Sequence, residues 1–172
     1  MNSLDQEFAY AKSQGWTPLF EKAAADYGFD TATLMAIASR ESDMRNIVGD
    51  GGHGYSLMQI DDRSYPAFCH SSQWRNIALA IQKGAQVLDE KRTAIDLSQG
   101  ERLQIGGYPY TGAVVKDPAT LLRLSIASYN AGMWPYYSFS RNDDPDRFTT
   151  GRNYSKDVLI RQQSFAALLK GA

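Results

Sequence analysis

Hydrophobic residues recur with a helical period along much of the chain, most clearly in the segment that precedes residue 42. One face of a predicted helix, at positions i, i+3, i+4 and i+7, is occupied by Leu34, Ile37, Ala38 and Glu41. Because three of these four residues are apolar, this face is expected to be covered by other parts of the protein. The pattern therefore predicts a helix that holds the carboxyl group of Glu41 against apolar neighbours.

Helix-boundary signals predict five further helices. Ser3 followed three residues later by Gln6 resembles a capping box, and a proline stands at the first helical position in Thr17-Pro18 and in Asp117-Pro118. Glycine follows several of the periodic segments, where it favours the end of a helix. The predicted helices run from Ser3 to Gly15, Thr17 to Gly28, Asp30 to Glu41, Ser72 or Asn76 to Ile95, Asp117 to Gly132, and from Asn153 onward.

The segments between the helices predict one β element and three irregular stretches. Four glycines fall within residues 49–54, and the run from Tyr55 to Ile60 is short and partly alternating, which is typical of a strand or hairpin. The irregular stretches are residues 61–72, 100–117 and 133–146. The charged run from Arg141 to Arg147, which overlaps the end of the last stretch, is expected to be a solvated loop. The predicted fold is mostly α, of the α+β class, with a small β element beside the candidate site.

Length, charge and hydropathy predict one domain and argue against nucleic acid and a membrane span. A chain of 172 residues can bury roughly 70% of the surface of its unfolded form, and no repeat or linker divides it, so residues 1–172 are expected to form a single domain. The net charge of −1 gives no support to binding of nucleic acid, which usually requires a basic surface. No window of about 18 consecutive apolar residues exists, so no membrane span is expected.

Two features of the chain concern the compartment in which it acts. Cys69 is the only cysteine, which excludes an internal disulfide framework. The first six residues lack the basic start and apolar segment of a signal peptide, so the sequence leaves the export route open.

Three carboxylates, one in the predicted helix before residue 42 and two in the segment after it, are candidates for acid–base chemistry. Glu41 among apolar neighbours loses hydration in its charged form, which is expected to raise its pKa and to suit it to the role of general acid. Asp50 and Asp61 flank the glycine-rich turn that follows. One shielded acid opposite more exposed carboxylates is the pattern of glycoside hydrolysis.

Each of these residues also has a purely structural interpretation. Glu41 at a helix end can form an ion pair with a nearby arginine, and aspartate beside glycine is common because it bonds to its own backbone. His53 lacks partners at metal-ligand spacing, so no metal site is predicted. The pair Cys69-His70 suggests a nucleophile and base, but adjacency in sequence gives no geometry, and we do not expect that role.

Three motifs, in order along the chain, resemble goose-type lysozymes. The first comprises Glu41-Ser42, Gly49-Asp50, Gly52-x-Gly54 and Leu57-Met58-Gln59-Ile60-Asp61; the second is Ser128-Tyr129-Asn130-Ala131-Gly132; the third is Thr149-Thr150 with Asn153-Tyr154-x-x-Asp157-Val158. Together they span the chain from about residue 30 almost to its end. The lack of disulfides resembles bacterial or phage members of this family rather than vertebrate ones.

The resemblance implies a fold, an activity and a set of site residues. The fold would be lysozyme-like, with helices bundled around a central helix and a small β-sheet beside the active-site cleft. The activity would be that of a lysozyme, inverting hydrolysis of the β-1,4 bond between N-acetylmuramic acid and N-acetylglucosamine. Glu41 would be the acid, and Asp61 and Asp50 would share the activation of water, in an order that the sequence does not rank. Substrate-binding residues would be Ser42, His53, Tyr55, Gln59, Tyr129, Asn130 and Tyr154.

The same resemblance implies how the protein would act. It would need no metal or organic cofactor and would work as a monomer. Its partners would be peptidoglycan strands, with chitin oligomers as further candidate substrates. It would act outside the cytoplasm, in the periplasm, in the cell wall or in the medium, and an antibacterial role is open.

Two other functions fit the same motifs. Lytic transglycosylases share the Glu-Ser helix and the Leu-Met-Gln and Tyr-Asn-Ala-Gly motifs, and they form 1,6-anhydromuramic products with a single acid. They typically continue Leu-Met-Gln with an apolar residue and proline, whereas Ile60-Asp61-Asp62 here favours hydrolysis. The second alternative is a non-catalytic glycan-binding module on the same fold, which the retained carboxylates argue against.

Aromatic residues in the segments predicted as loops could either bind sugars or pack locally. Flat aromatic faces suit the CH-rich faces of sugars, but large aromatics in loops more often pack locally. We favour local packing. The residues in question are Tyr108, Tyr110, Trp134, Tyr136 and Tyr137.

Overall fold

The computed structural model describes residues 3–172 and is mostly helical, with short antiparallel strands. This confirms the predicted α+β class. Within the described residues the helices are α1 (Leu4–Ser13), α2 (Thr17–Tyr27), α3 (Thr31–Ser42), α4 (Pro66–Cys69), α5 (Ile77–Ser98), α6 (Pro118–Ala131), α7 (Trp134–Ser140) and α8 (Tyr154–Lys170). The strands are β1 (Val48–Gly49), β2 (Gly54–Tyr55), β3 (Ile60–Asp61), β4 (Arg102–Ile105) and β5 (Tyr108–Thr111). Over residues 3–172, no helix combines the length and apolar character needed to cross a membrane.

The chain forms two compact units, and the first contains residues up to 86 together with 158–172. Its centre is α3, in which every residue from 32 to 39 is buried. A helix that is covered on all sides lies inside a core rather than on its surface, whereas the sequence pattern predicted cover only for the face that carries Glu41. Other buried apolar residues of this unit are Phe20, Met44, Leu57, Met58, Ile60, Ile81 and Phe165.

Beside α3 the three short strands pair antiparallel in the order β1-β2-β3. Gly49 pairs with Gly54, and a Cβ atom on either glycine would lie 2.4 Å from Oε1 of Gln59. The side chain of Gln59 therefore occupies the space that the two glycines leave, and its amide donates to the carbonyl groups of Ile47 and Ser56. This close approach explains the glycine-rich composition of the segment.

The second unit comprises residues 87–157 and has its own small core. Ile95, Leu124 and Tyr136 are fully buried there, and burial raises the pKa of the Tyr136 phenol to about 12. The Tyr136 hydroxyl donates to the carbonyl of Ala113 at 2.7 Å. The unit's strands β4 and β5 form a hairpin that closes at Gly106-Gly107, where both φ values are positive, as two-residue hairpin turns favour.

Most helix boundaries follow the local signals in the sequence. Ser3 and Gln6 form both bonds of a capping box, and Gly28 ends α2 in the left-handed conformation. Asp117 caps α6 by accepting from the backbone of Thr120. Asp30 takes the N-cap position of α3, but its side chain makes no capping bond.

The predictions for the irregular stretches are wrong in four places. Residues 61–72 contain the short helix α4, residues 100–117 contain the β4–β5 hairpin, and residues 133–146 contain α7. The charged run from Arg141 to Arg147 is not wholly solvated, because Asp146 within it is fully buried. These elements are short, and packing against neighbouring residues rather than periodicity stabilises them.

A buried carboxyl group on α1 allows a test of the first unit. Glu7 is 1% exposed, and neither of its carboxyl oxygens makes a well-aligned hydrogen bond with a described residue. Burial raises the Glu7 pKa, and this outweighs the opposing effects of the Ser39 hydroxyl and of Arg161. The Ser39 hydroxyl already accepts from the Arg161 guanidinium at 2.7 Å.

We expect Glu7→Gln to raise the free energy of unfolding at neutral pH by about 1 kcal/mol, because it removes a buried, poorly paired charge. The folded state binds the Glu7 proton more tightly than the unfolded chain does. The contribution of Glu7 to stability is therefore largest below the unfolded pKa of 4.5 and is lost as pH rises through the folded value. Urea unfolding across this pH range measures both effects, with Glu21→Gln on the exposed side of α2 as control. A loss of stability at every pH would contradict the expectation.

Candidate functional site

Two of the three candidate carboxylates are held by one arginine in the first unit. Arg63 Nε donates to Asp61 Oδ1 at 2.7 Å, and Arg63 Nη2 lies 3.4 Å from Asp50 Oδ2. The guanidinium thus offsets the repulsion between two like charges and fixes them on the same side of the sheet. The carboxylates, Asp61 first, raise the pKa of Arg63, so the arginine keeps its charge.

The local backbone explains how these side chains converge. Asp61 ends β3, and the hydroxyl of Ser64 donates to its second oxygen at 3.0 Å. Asp50 opens a 3₁₀ turn that leaves β1, with a positive φ of 47°. The Asp61 side chain is 37% exposed and that of Asp50 is 71% exposed, so Asp61 is the more firmly held of the two.

Glu41 lies in the last turn of α3 and is half-buried. The next residue, Ser42, is buried, and its hydroxyl donates to the carbonyl of Leu57 at 2.8 Å. The backbone amide of Leu57 in turn donates to the side chain of Asn46 at 3.2 Å. The end of the helix that carries Glu41 is therefore tied directly to the segment that leads into β3 and Asp61.

A fourth carboxylate, Asp62, lies between the chain's two histidines. His53 Nδ1 is 2.9 Å from one oxygen of Asp62, and His70 Nε2 is 3.2 Å from the other. The hydrogen bond with His53, followed by that with His70, lowers the pKa of Asp62 and keeps it ionised. This arrangement orients His53, which the sequence assigned to substrate binding, in the exposed turn that precedes β2.

An aromatic pair lies beside these histidines. Tyr55 on β2 contacts the Trp74 ring edge-to-face, with centroids 5.5 Å apart, and it lies 6.3 Å from the His70 ring. Trp74 in turn packs under the guanidinium of Arg75. Tyr55 is half-buried, so part of its ring faces outward.

Other residues assigned to substrate binding are occupied in structural contacts. Ser42 and Gln59 make the bonds described above, and each joins two segments of the first unit. In the second unit, Asn130 and Thr150 form two reciprocal hydrogen bonds, of 2.8 and 3.2 Å. Tyr154 is only 2% exposed at the start of α8, and Tyr129 is half-buried. Their substrate-binding roles stay predictions.

The sequence assigned no site role to Arg63, Asp62 or Trp74. Arg63 could have been found from its spacing, because a side chain two residues after Asp61 can turn back onto that carboxylate at the end of a short strand. Asp62 carried no such signal, because its histidine partners lie nine and eight residues away. Their convergence depends on the path of the chain through β3 and α4.

Two alternative chemistries gain no support from the site. Among residues 3–172, no group of three histidine, cysteine or acidic side chains could hold a metal ion. Cys69 is buried, and burial raises its thiol pKa to about 11, so the reactive thiolate form is disfavoured.

Comparison with known proteins gives matches to lysozymes of type g. The chain is 30% identical to the lysozyme g of Struthio camelus and 29% identical to the lysozyme G of Dromaius novaehollandiae, each over 151 residues. These matches cover 86% of this chain and 64% of each bird protein, so the chain spans less than two thirds of their length. The lysozyme g of Cyprinus carpio is 25% identical over 163 residues, which is 92% of this chain and 77% of the carp protein. No protein-family model matches the chain.

Proposed function

We propose that this chain, which is similar to goose-type lysozymes over most of its length, is a lysozyme that hydrolyses peptidoglycan. The bond cleaved is the β-1,4 linkage between N-acetylmuramic acid and N-acetylglucosamine. The observation that carries the proposal is the convergence of Asp50 and Asp61 on Arg63, beside the segment tied to the end of α3. Such a substrate lies outside the cytoplasm, and so does the proposed place of action.

In the proposed mechanism Glu41 is the general acid. From its half-buried position in the last turn of α3, the carboxyl group would give a proton to the leaving oxygen. Asp61 aims and activates a water on the opposite face of the sugar, and the more exposed Asp50 assists. An inverting enzyme of this kind needs roughly 6.5–9.5 Å between acid and base, which leaves room for the water.

Arg63 serves this mechanism as a positioning residue. The guanidinium pairs with both carboxylates, which offsets the repulsion between their like charges and orients them. His53 and Tyr55 lie in the same β element and are proposed to contact substrate. Tyr129, Asn130 and Tyr154 are proposed to act in binding through the resemblance alone.

The test is analysis of the products released from purified peptidoglycan. Hydrolysis gives reducing muramic ends that carry oxygen from labelled water, and inversion gives the α anomer first, visible by proton NMR before mutarotation. Products that end in 1,6-anhydromuramic acid would identify a lytic transglycosylase instead. Binding to the wall without any release of fragments would identify a glycan-binding module.

We expect Arg63→Gln to lower kcat/KM on peptidoglycan by about tenfold to a hundredfold, or ~1.4–2.7 kcal/mol of transition-state stabilisation. The physical reason is that Asp61 and Asp50 lose the group that holds them together. Because Arg63 is largely exposed, the melting temperature is expected to stay nearly unchanged. Arg102→Gln, an exposed arginine on β4, is the matched control. Unchanged kinetics in Arg63→Gln would rule out its positioning role.

A further inference from the structure

A groove in the second unit is lined by residues that the proposed mechanism does not use. Its volume is about 600 Å³, within the range of small-ligand sites. We call it the aromatic groove. The residues on which the inference depends are Tyr108, Trp134, Tyr137, Phe148, Ser138 and Arg141.

The groove is built from two elements that the sequence did not predict. Trp134 and Tyr137 lie on α7, and Tyr108 begins β5, directly after the hairpin turn. A Cβ atom on Gly106 in that turn would lie 2.9 Å from the Trp134 ring, so the turn packs against the indole. The Trp134 and Tyr137 rings meet edge-to-face with centroids 5.6 Å apart. The walls of the groove are therefore preformed, which reduces the entropy cost of binding.

Two aromatic side chains of the groove are exposed. Tyr108 is 57% exposed and Phe148 is 46% exposed, and both contact Trp134, with ring centroids 6.3 and 5.0 Å away. The prediction of local packing therefore holds for Tyr136 and Tyr110, which belong to the core of this unit. The rings of Tyr108 and Phe148 stay partly open to solvent. A contiguous row of exposed aromatic surface marks a binding site more often than an isolated residue does. Flat rings of this kind match the CH-rich face of a pyranose.

The polar groups of the groove favour an anion. Arg147 forms an ion pair with Asp143, whereas Arg141 forms no ion pair with any residue from 3 to 172 and lies 5.7 Å from the Tyr137 ring centroid. The groove therefore has one uncompensated positive charge beside its aromatic rings. Ser138 is 98% buried at the groove wall, and its hydroxyl makes no hydrogen bond within the described part of the chain. A ligand that combines a pyranose ring with a carboxylate would use both the aromatic faces and the charge of Arg141.

We propose that the aromatic groove binds a muramyl unit, with the sugar ring on the exposed aromatic faces of Tyr108 and Phe148 and a carboxylate on Arg141. The choice of a muramyl unit among anionic sugars rests on the proposed function. The carboxylate has two sources in peptidoglycan, the lactyl group of the sugar and the stem peptide. The groove would hold a part of the wall other than the bond being cleaved.

Three soluble probes without a β-1,4 glycosidic bond test the proposal on the intact wild-type protein. They are N-acetylglucosamine, which is neutral; N-acetylmuramic acid, which carries the lactyl carboxylate; and N-acetylmuramyl-L-alanyl-D-isoglutamine, which carries a stem carboxylate. The readout is the indole N–H resonance of Trp134, assigned by its loss in Trp134→Phe. Trp74 belongs to the first unit, beside Tyr55, and its resonance reports binding there.

We expect at least one anionic probe to shift the Trp134 resonance at concentrations about tenfold lower than N-acetylglucosamine, because the charged partner adds a strong hydrogen bond. The anionic probe that shifts Trp134 at the lowest concentration identifies the source of the carboxylate. Arg141→Gln should remove this preference and leave binding of the neutral sugar unchanged, whereas Tyr108→Ala should weaken all three probes. Arg102→Gln, an arginine in the same unit that does not line the groove, should behave as wild type.

The outcomes separate this proposal from the proposed function. A muramyl probe that shifts Trp134 supports the groove even if peptidoglycan is not hydrolysed. Hydrolysis with no shift of Trp134 by any probe overturns the groove and leaves the enzyme intact. A shift confined to Trp74, or equal affinity for neutral and anionic sugars in wild type and Arg141→Gln, also overturns the proposal.

Discussion

Replacement of Glu41 by glutamine is expected to lower the rate of peptidoglycan hydrolysis by about a thousandfold, since general acid catalysis contributes typically 10²–10⁴. Glutamine has nearly the same shape as glutamate but carries no transferable proton. The leaving oxygen would then depart as an alkoxide, which is a poor leaving group at neutral pH. The loss should therefore appear in kcat, while binding of the wall is retained.

The measurement compares initial rates of release of soluble fragments, with binding to insoluble peptidoglycan measured in parallel. Glu21→Gln on α2 makes the same chemical change at an exposed position and should keep wild-type activity. Thermal unfolding of both variants shows whether a loss of rate reflects a loss of fold. Hydrolysis by Glu41→Gln at more than about a tenth of the wild-type rate would assign the acid to another residue.

Replacement of Asp146 by alanine is expected to reduce the free energy of unfolding by about 3 kcal/mol, because several buried donors lose their acceptor at once. The fully buried carboxylate accepts from the backbone amides of Ser155 and Lys156 and from the hydroxyls of Ser155 and Thr149. It thus caps the start of α8 from outside the helix, and its negative charge lies at the positive end of the helix dipole. Arg123, 3.8 Å away, loses a partner as well.

The expected decrease in melting temperature is about 6–12 °C for a chain of this size. Asp146→Asn keeps the volume of the side chain and isolates the loss of charge and of one acceptor; it should be destabilising by a smaller amount. The control is Asp96→Ala, which replaces an exposed aspartate on α5 that accepts a hydrogen bond from the Gln99 side chain. If Asp146→Ala unfolds at the wild-type temperature, the carboxylate does not anchor α8.

Elements whose ends are set by neighbouring residues could be predicted from the sequence. The capping box at Ser3, the left-handed glycine at Gly28 and the Asp117-Pro118 start each act within four residues along the chain. The hairpin carried such a signal too, in Gly106-Gly107, but Pro109 and the aromatic residues around it obscured the alternation. Helix α7 carried a proline near its start, yet its aromatic sequence has little intrinsic helix propensity.

The candidate site, like the fold, could be predicted only in part. Glu41, Asp50 and Asp61 could be proposed from the helical pattern and the motifs around them. The bond from Arg63 to Asp50 joins residues 13 positions apart, and Ser42 reaches Leu57 over 15 positions. Asp146, nine residues before its partner Ser155, was expected to be solvated because its neighbours in sequence are charged.

The sequence by itself determined the helical class, the covered face of α3 and the types of residue that the proposed chemistry needs, because periodicity and capping act over one or two helical turns. Only the tertiary structure decided that Arg63 joins the two aspartates, that Asp62 lies between the histidines, and that an aromatic groove opens in the second unit. Such contacts depend on where folded segments meet, and a one-dimensional pattern does not encode distances between residues that are far apart along the chain.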